Sequence, residues 1–137
     1  MDSILTPVLL LVVWSLLVLG VMALTRFPAM SRMGLRLNDA RHTADLSVLP
    51  SSVRQISDNY NHLMEQPTLF YALALYTYLA GHGDSVSLAF AWAYLGLRVV
   101  HSLVQIIGNY VPARFVIFTL GTTVLALWSL REVIGLF

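Results

Sequence analysis

The stretch from Ile4 to Leu24, ILTPVLLLVVWSLLVLGVMAL, carries no charged residue in 21 positions. At about 1.5 Å of rise per residue, a helix of that length spans the roughly 30 Å hydrocarbon core of a bilayer. The stretch reads as a transmembrane helix. Met1-Asp2-Ser3 ahead of it holds no basic residue, and the apolar run exceeds the about 7–15 residues of a signal-peptide core. A retained helix is therefore expected in place of a cleaved leader.

Three more apolar segments follow, at about Leu63–Ala80, Val86–Ile107 and Val111–Leu130. Gly81-His82-Gly83-Asp84 and Gly108-Asn109-Tyr110, the latter just ahead of Pro112, separate them with residues that stop and start helices. Pro50-Ser51-Ser52 reads as a helix start with serine as N-cap. The expected helices are 4–25, 52–80, 86–108 and 112–134. Breakers this short make neighbouring helices antiparallel. The expected fold class is all-α: one domain over 1–137, an integral membrane four-helix bundle running up-down-up-down. The connector that opens at Arg26 is long for a compact domain, which points to structure or a task of its own.

Composition agrees with a membrane chain. Of 137 residues, 58% are hydrophobic and 11% charged, against about 25% charged in an average soluble domain. All eight basic residues are arginine, and seven acids oppose them for a net charge of +1. No basic field of the kind nucleic acid requires is present, so nucleic acid is not an expected partner. The absence of cysteine excludes a disulfide scaffold and a cysteine nucleophile. Arg26, Arg32, Arg36, Arg41 and Arg54 crowd the first connector and Arg114 the third, while the Gly81–Asp84 turn has none. Arginine bias of this kind puts loops one and three in the cytoplasm and both termini on the other side.

Polar residues inside apolar helices are costly, at roughly 2.5–3.5 kcal/mol for a charge at the bilayer centre, and such residues mark functional interiors. Tyr94, Arg98, His101, Gln105 and Asn109, spaced four, three, four and four, share one stripe of the third helix. Asp58, His62 and Glu65 form a second stripe on the helix before it. Counting turns from the membrane surface brings Glu65, Arg98, His101 and Arg114 together near the cytoplasmic end, with Arg26 beside them. Three arginines and one glutamate leave surplus positive charge, which suits an anionic ligand. The plainer reading stays open: Glu65 pairs with Arg98, the histidine and glutamine bond between helices, and terminal arginines reach for headgroups. His42 and His82 lie in polar turns and are expected to be solvated. Metal ligation is not expected, because only two histidines and one glutamate converge, without metal-site spacing. Trp14, Trp92 and Trp128 serve as interface anchors or as packing. No internal repeat of the kind that builds alternating-access transporters is visible.

Asp58-Asn59-Tyr60-Asn61-His62-Leu63-Met64-Glu65-Gln66-Pro67, then Leu69-Phe70-Tyr71, Ala91-Trp92-Ala93-Tyr94-Leu95, Arg98-Val99-Val100-His101-Ser102, Asn109, Pro112 and Arg114 together resemble the MAPEG family, membrane-associated proteins in eicosanoid and glutathione metabolism. The resemblance covers helices two to four and is nearest the bacterial branch, which implies a bacterial inner membrane. It implies a homotrimer in which glutathione lies between subunits near the cytoplasmic side and a lipophilic substrate enters from the bilayer. Residue by residue, it implies that Glu65 holds the glutathione amino group, that Arg98 matches the helix-three arginine, and that His101 falls at a His-or-Tyr position. Arg114 matches the arginine that stabilises the thiolate, and Arg26 the arginine lent by a neighbouring subunit. His62 stands at the family's asparagine position and Gln105 at its helix-three tyrosine. Asp58 replaces an arginine of the eicosanoid enzymes, and Phe115 and Phe118 replace a serine and a tyrosine of a prostaglandin-synthesising member. The expected activity is a glutathione- or thiol-dependent transferase or peroxidase. The alternatives are a non-catalytic lipid-binding scaffold of the same fold and, behind it, a small channel or transporter.

Overall fold

The computed structural model describes residues 3–137. Met1 and Asp2, which entered the argument against a cleaved leader, lie outside the described residues. The described residues form five α-helices: α1 (Leu5–Arg32), α2 (Ser51–Glu65), α3 (Pro67–Leu79), α4 (Ser85–Ile107) and α5 (Val111–Ile134). α1, α4 and α5 are each long and apolar enough to cross a membrane. The protein is an all-α integral membrane protein.

α1 extends seven residues past the predicted end at 25. The charge at Arg26 does not stop it, and Pro28 lies within the helix. Thr25 Oγ1 donates to the carbonyls of Val21 and Met22, and Met30 on the far side of the proline is buried. The stop comes at Gly34, whose φ of +69° is open to glycine at little cost. Leu35 N–H then reaches back to the Met30 carbonyl at 3.0 Å, closing the helix end. The connector shortens accordingly and is built from two 3₁₀ turns, Leu37–Asp39 and Thr43–Val48. Each is pinned by an acid, Asp39 accepting from the Arg36 N–H and Asp45 from the His42 N–H. Arg26 is therefore a helical residue, not part of a loop.

The predicted single helix over 52–80 is divided. Pro67 has no N–H to give the carbonyl one turn back, so α2 ends at Glu65 and α3 starts at Pro67. Gln66 between them keeps helical angles (φ −61°, ψ −36°), and Leu69 N–H bonds to its carbonyl at 3.0 Å. The two segments make one interrupted leg. Asp84 caps α4 by accepting from Ser87 N–H at 2.9 Å, and Pro112 sits in the first turn of α5, where its missing N–H costs nothing.

Side-chain bonds show which helix ends meet. Arg26 of α1 bonds Ser57 of α2 at 2.8 Å, and Gln55 of α2 bonds the Ile106 carbonyl of α4 at 2.7 Å. At the opposite end, His82 after α3 meets Glu132 of α5 at 2.8 Å. Between these ends lies the apolar core of Leu11, Leu63, Phe70, Ala74, Ala91, Tyr94, Leu125 and Trp128. Phe70 stacks on Tyr94 at 4.7 Å, and Trp128 packs against Phe70 and Phe90. Trp128 is thus packing, whereas Trp92 is exposed. The outward faces of α1 and α5 present Leu9, Leu16, Leu17, Phe115, Leu127 and Leu130, surface that suits hydrocarbon.

Candidate functional site

The polar stripe on α4 faces inward. Tyr94, Arg98, His101 and Gln105 are all buried, and Arg98 is only 2% exposed. Its Nε donates to the Tyr94 hydroxyl at 2.9 Å and a second guanidinium nitrogen donates to Gln66 Oε1. The guanidinium carbon stands 5.5 Å from the Tyr94 ring centre and 5.3 Å from that of Phe118, within reach of both π-faces. Gln66 Nε2 continues the chain to Thr122 Oγ1 of α5 at 2.7 Å. Among the described residues Arg98 makes no ion pair.

The Glu65–Arg98 pair of the plainer reading is absent. The Glu65 side chain is 68% exposed and its Oε2 stands 3.2 Å from His62 Nδ1. Helical rotation supplies the reason. Each residue turns the helix by about 100°, and the inward line of this leg runs through Ile56, Asn59, Leu63, Phe70 and Ala74. Gln66 falls on that line and Glu65 falls beside it. Sequence reasoning followed the charge; the apolar spacing of Leu63 and Phe70 was the signal that selects Gln66. The Asp58–His62–Glu65 stripe accordingly occupies a flank of the leg, with Asp58 and Glu65 exposed and His62 half-buried.

Three of the expected residues do converge. His62 and His101 meet edge to face with ring centres 6.1 Å apart, and both line a cavity of about 230 Å³ with Val111, Arg114, Phe115 and Phe118. Arg114 donates to Asn109 Oδ1, and Asn109 holds φ at +48° in the α4–α5 turn. This end of the bundle also collects buried polar atoms without hydrogen-bond partners among the described residues: both ring nitrogens of His101, both amide atoms of Gln105, Asn59 Nδ2 and Arg114 Nε. Each such group typically costs about 1–3 kcal/mol when unsatisfied. Their concentration here gives a ligand donors and acceptors to satisfy. Of these four side chains, Asn59 is engaged through Oδ1, by Ser102 Oγ at 3.0 Å, and Arg114 through its bond to Asn109.

Arg26 is not in that cavity. It lines a separate one of about 140 Å³ with Thr43, Leu46, Ser47, Leu49, Arg54, Ser57 and Asp58. Within one chain, then, His62, His101 and Arg114 form the cavity, Arg98 backs it through Phe118, Gln105 is buried one turn beyond His101, and Glu65 and Arg26 point elsewhere. No cluster of three or more metal-ligating side chains occurs among the described residues.

His42 and His82 are both exposed, as expected of residues in polar turns, and the His82 ring also meets Glu132, a carboxylate only 5% exposed. Asp84 beside it is bound by the Ser87 N–H and by Arg131, which together lower its carboxyl from the ordinary 3.8 to about 2. A carboxyl depressed on folding adds stability above its unfolded pKa and loses it as pH falls through the folded value. The thermal midpoint is therefore expected to decline between about pH 4 and about pH 2, and Asp84→Asn to flatten that part of the acid profile. An unchanged acid slope in the variant would contradict the capping role.

The MAPEG family model matches residues 4–134. No curated protein and no solved structure matches the chain. A match over nearly the whole length makes the chain a member of the MAPEG family.

Proposed function

We propose that this MAPEG-family membrane protein binds an anionic thiol of the glutathione class between copies of itself in a homotrimer, and uses it in transferase or peroxidase chemistry on a lipophilic substrate. The observation that carries the reading is the cavity where Arg114 and His101 face Phe115 and Phe118. A fixed cation, an unpartnered imidazole and apolar walls in one place suit a charged thiol meeting a greasy partner.

The residues present fit such a ligand. Arg114 Nε, the His101 ring and the Gln105 amide are buried and lack partners, so they supply donors and acceptors in a region otherwise short of water. About 230 Å³ falls below the roughly 300–1,000 Å³ of complete small-molecule sites. A wall from a second copy would enlarge it, and Arg26 and Glu65 reach outside the cavity within their own chain. The bound thiol supplies the nucleophilic sulfur, since the chain has no cysteine. Arg114 favours the thiolate by placing positive charge beside it. Arg98 adds positive charge from behind Phe118, His101 and His62 donate or accept at the cavity wall, and Glu65 and Arg26 hold the ligand's amino and carboxylate groups. Phe115 and Phe118 exclude water from the sulfur, where charge interactions then strengthen. The arginine-rich connector supports a cytoplasmic position for this end, with both termini across a bacterial inner membrane.

Thiolate absorbance in the ultraviolet tests the reading. Glutathione added to the purified protein at neutral pH is expected to show the thiolate band, and S-methylglutathione is not. Binding without a thiolate band, or co-purifying lipid indifferent to added thiol, supports instead a lipid-binding scaffold of the same fold.

A further inference from the structure

The connector between α1 and α2 has no task in the thiol reading, yet the chain folds it over a cavity. The space of about 140 Å³ between α1, the Thr43–Val48 turn and α2 is bordered by Arg26, Thr43, Ser47, Arg54, Ser57 and Asp58. The turn that forms one wall is held in place: Asp45 accepts from the His42 N–H at 2.8 Å, and Leu49 at its end is only 4% exposed.

Charge in this cavity does not balance. Of the residues that line it, Arg26 and Arg54 are cationic and only Asp58 is acidic, and among the described residues neither arginine makes an ion pair. Arg26 Nη2 donates to Ser57 Oγ at 2.8 Å, while its Nε is buried with no hydrogen-bond partner among the described residues. A guanidinium has five N–H donors, so Arg26 has donors to spare beyond that one bond. Thr43, Ser47 and Ser57 add hydroxyls. The depth is that of lipid headgroups: the charge-free run of α1 ends at Leu24, and Arg26 follows about 3 Å further along the helix axis. Leu24 and Phe27, on either side of Arg26 in the chain, are exposed.

We propose that this cavity binds the phosphate of an anionic phospholipid, gripped by Arg26 and Arg54 beneath the Thr43–Val48 turn, with the acyl chains against the exposed apolar surface of α1. The volume equals that of about five waters at roughly 30 Å³ each, room for a phosphate and its oxygens but not for a whole small molecule. Arginine meets phosphate with paired, charge-assisted bonds, and basic pockets between membrane helices take anionic headgroups for that reason. A zwitterionic lipid brings its own cation, which the two arginines repel. Arg26 is shared with the thiol reading, whereas Arg54, Thr43 and Ser47 are not; a test on Arg54 without thiol lets the two readings fail separately.

Native mass spectrometry of the full chain, delipidated in detergent and titrated with phosphatidylglycerol, measures the binding. Saturable binding is expected, tighter than that of phosphatidylcholine. Arg54 is exposed, so Arg54→Gln leaves the fold intact, and it is expected to weaken phosphatidylglycerol by about fivefold, the worth of one arginine beside anionic lipid. Arg54→Lys is expected to recover most of that loss. Arg41→Gln serves as the equal-charge control: Arg41 lies outside the cavity, its Nε donating to the Asn38 carbonyl at 3.2 Å, and its loss is expected to leave the affinity unchanged. Equal weakening by Arg54→Gln and Arg41→Gln would overturn the site in favour of diffuse surface charge. Equal affinity for the two lipids would overturn the recognition of an anionic headgroup, and displacement of the lipid by millimolar inorganic phosphate would overturn lipid as the occupant.

Discussion

Arg114→Ala is expected to cut thiol-dependent turnover by about 10²–10³-fold, the scale of removing one group aimed at developing charge in a water-poor site. The argument rests on position. Arg114 is the cation of the cavity that also holds His62 and His101, and Asn109 fixes its guanidinium from the preceding turn. Its Nε has no hydrogen-bond partner among the described residues. Losing it removes the charge proposed to favour a thiolate, while the helix keeps a good helix former in its first turn. Steady-state kinetics with varied thiol concentration and pH measures the effect. The pH for half-maximal rate should rise in Arg114→Ala, because the thiol then ionises nearer its unperturbed pKa. Arg114→Lys should recover part of the rate. An alanine variant with full turnover and an unshifted pH profile would remove Arg114 from the chemistry.

Gln66→Leu is expected to destabilise the protein by about 1.5–3 kcal/mol, the range for losing a hydrogen bond to a buried charged group. Gln66 Oε1 accepts from the Arg98 guanidinium and lies 3.3 Å from the Tyr94 hydroxyl, while its Nε2 reaches Thr122. Arg98 then keeps only the Tyr94 oxygen and two ring faces against its charge. The loss should show in denaturant or thermal unfolding of the detergent-solubilised protein. Adding Arg98→Met to Gln66→Leu should return most of it, since the uncompensated charge goes with the arginine. If the two losses simply add, the Gln66–Arg98 bond is not what holds this layer.

The sequence reading and the structure part company in a consistent way. Apolar runs are a one-dimensional signal, so the spans around Val18, Leu95 and Leu125 were legible. The inward stripe of Tyr94, Arg98, His101 and Gln105 was legible too, because its spacing lies within one helix. Arg26 looked like a helix end, yet helix α1 runs on to Arg32 until Gly34 supplies the left-handed turn. A charge near the membrane surface does not oppose helical hydrogen bonding, whereas a positive φ ends it. Glu65 looked like the partner of Arg98 because it is charged, while the neutral Gln66 holds the inward register. His82 is exposed as read, but its bond to Glu132 was not legible, because the partner lies 50 residues away along the chain. Pairings across helices depend on which faces meet, and spacing along one segment carries no information about that. The same limit applies to Arg26, whose bond to Ser57 spans 31 residues.

Titration calorimetry of glutathione into the detergent-purified protein, at low and moderate salt, tests the central claim most directly. Saturable binding is expected for the unmodified chain, weakened by salt as charge recognition requires, and lost in Arg114→Ala and in Glu65→Gln. Absence of binding to the unmodified chain, or equal binding by all three proteins, would contradict an anionic thiol site built on Arg114.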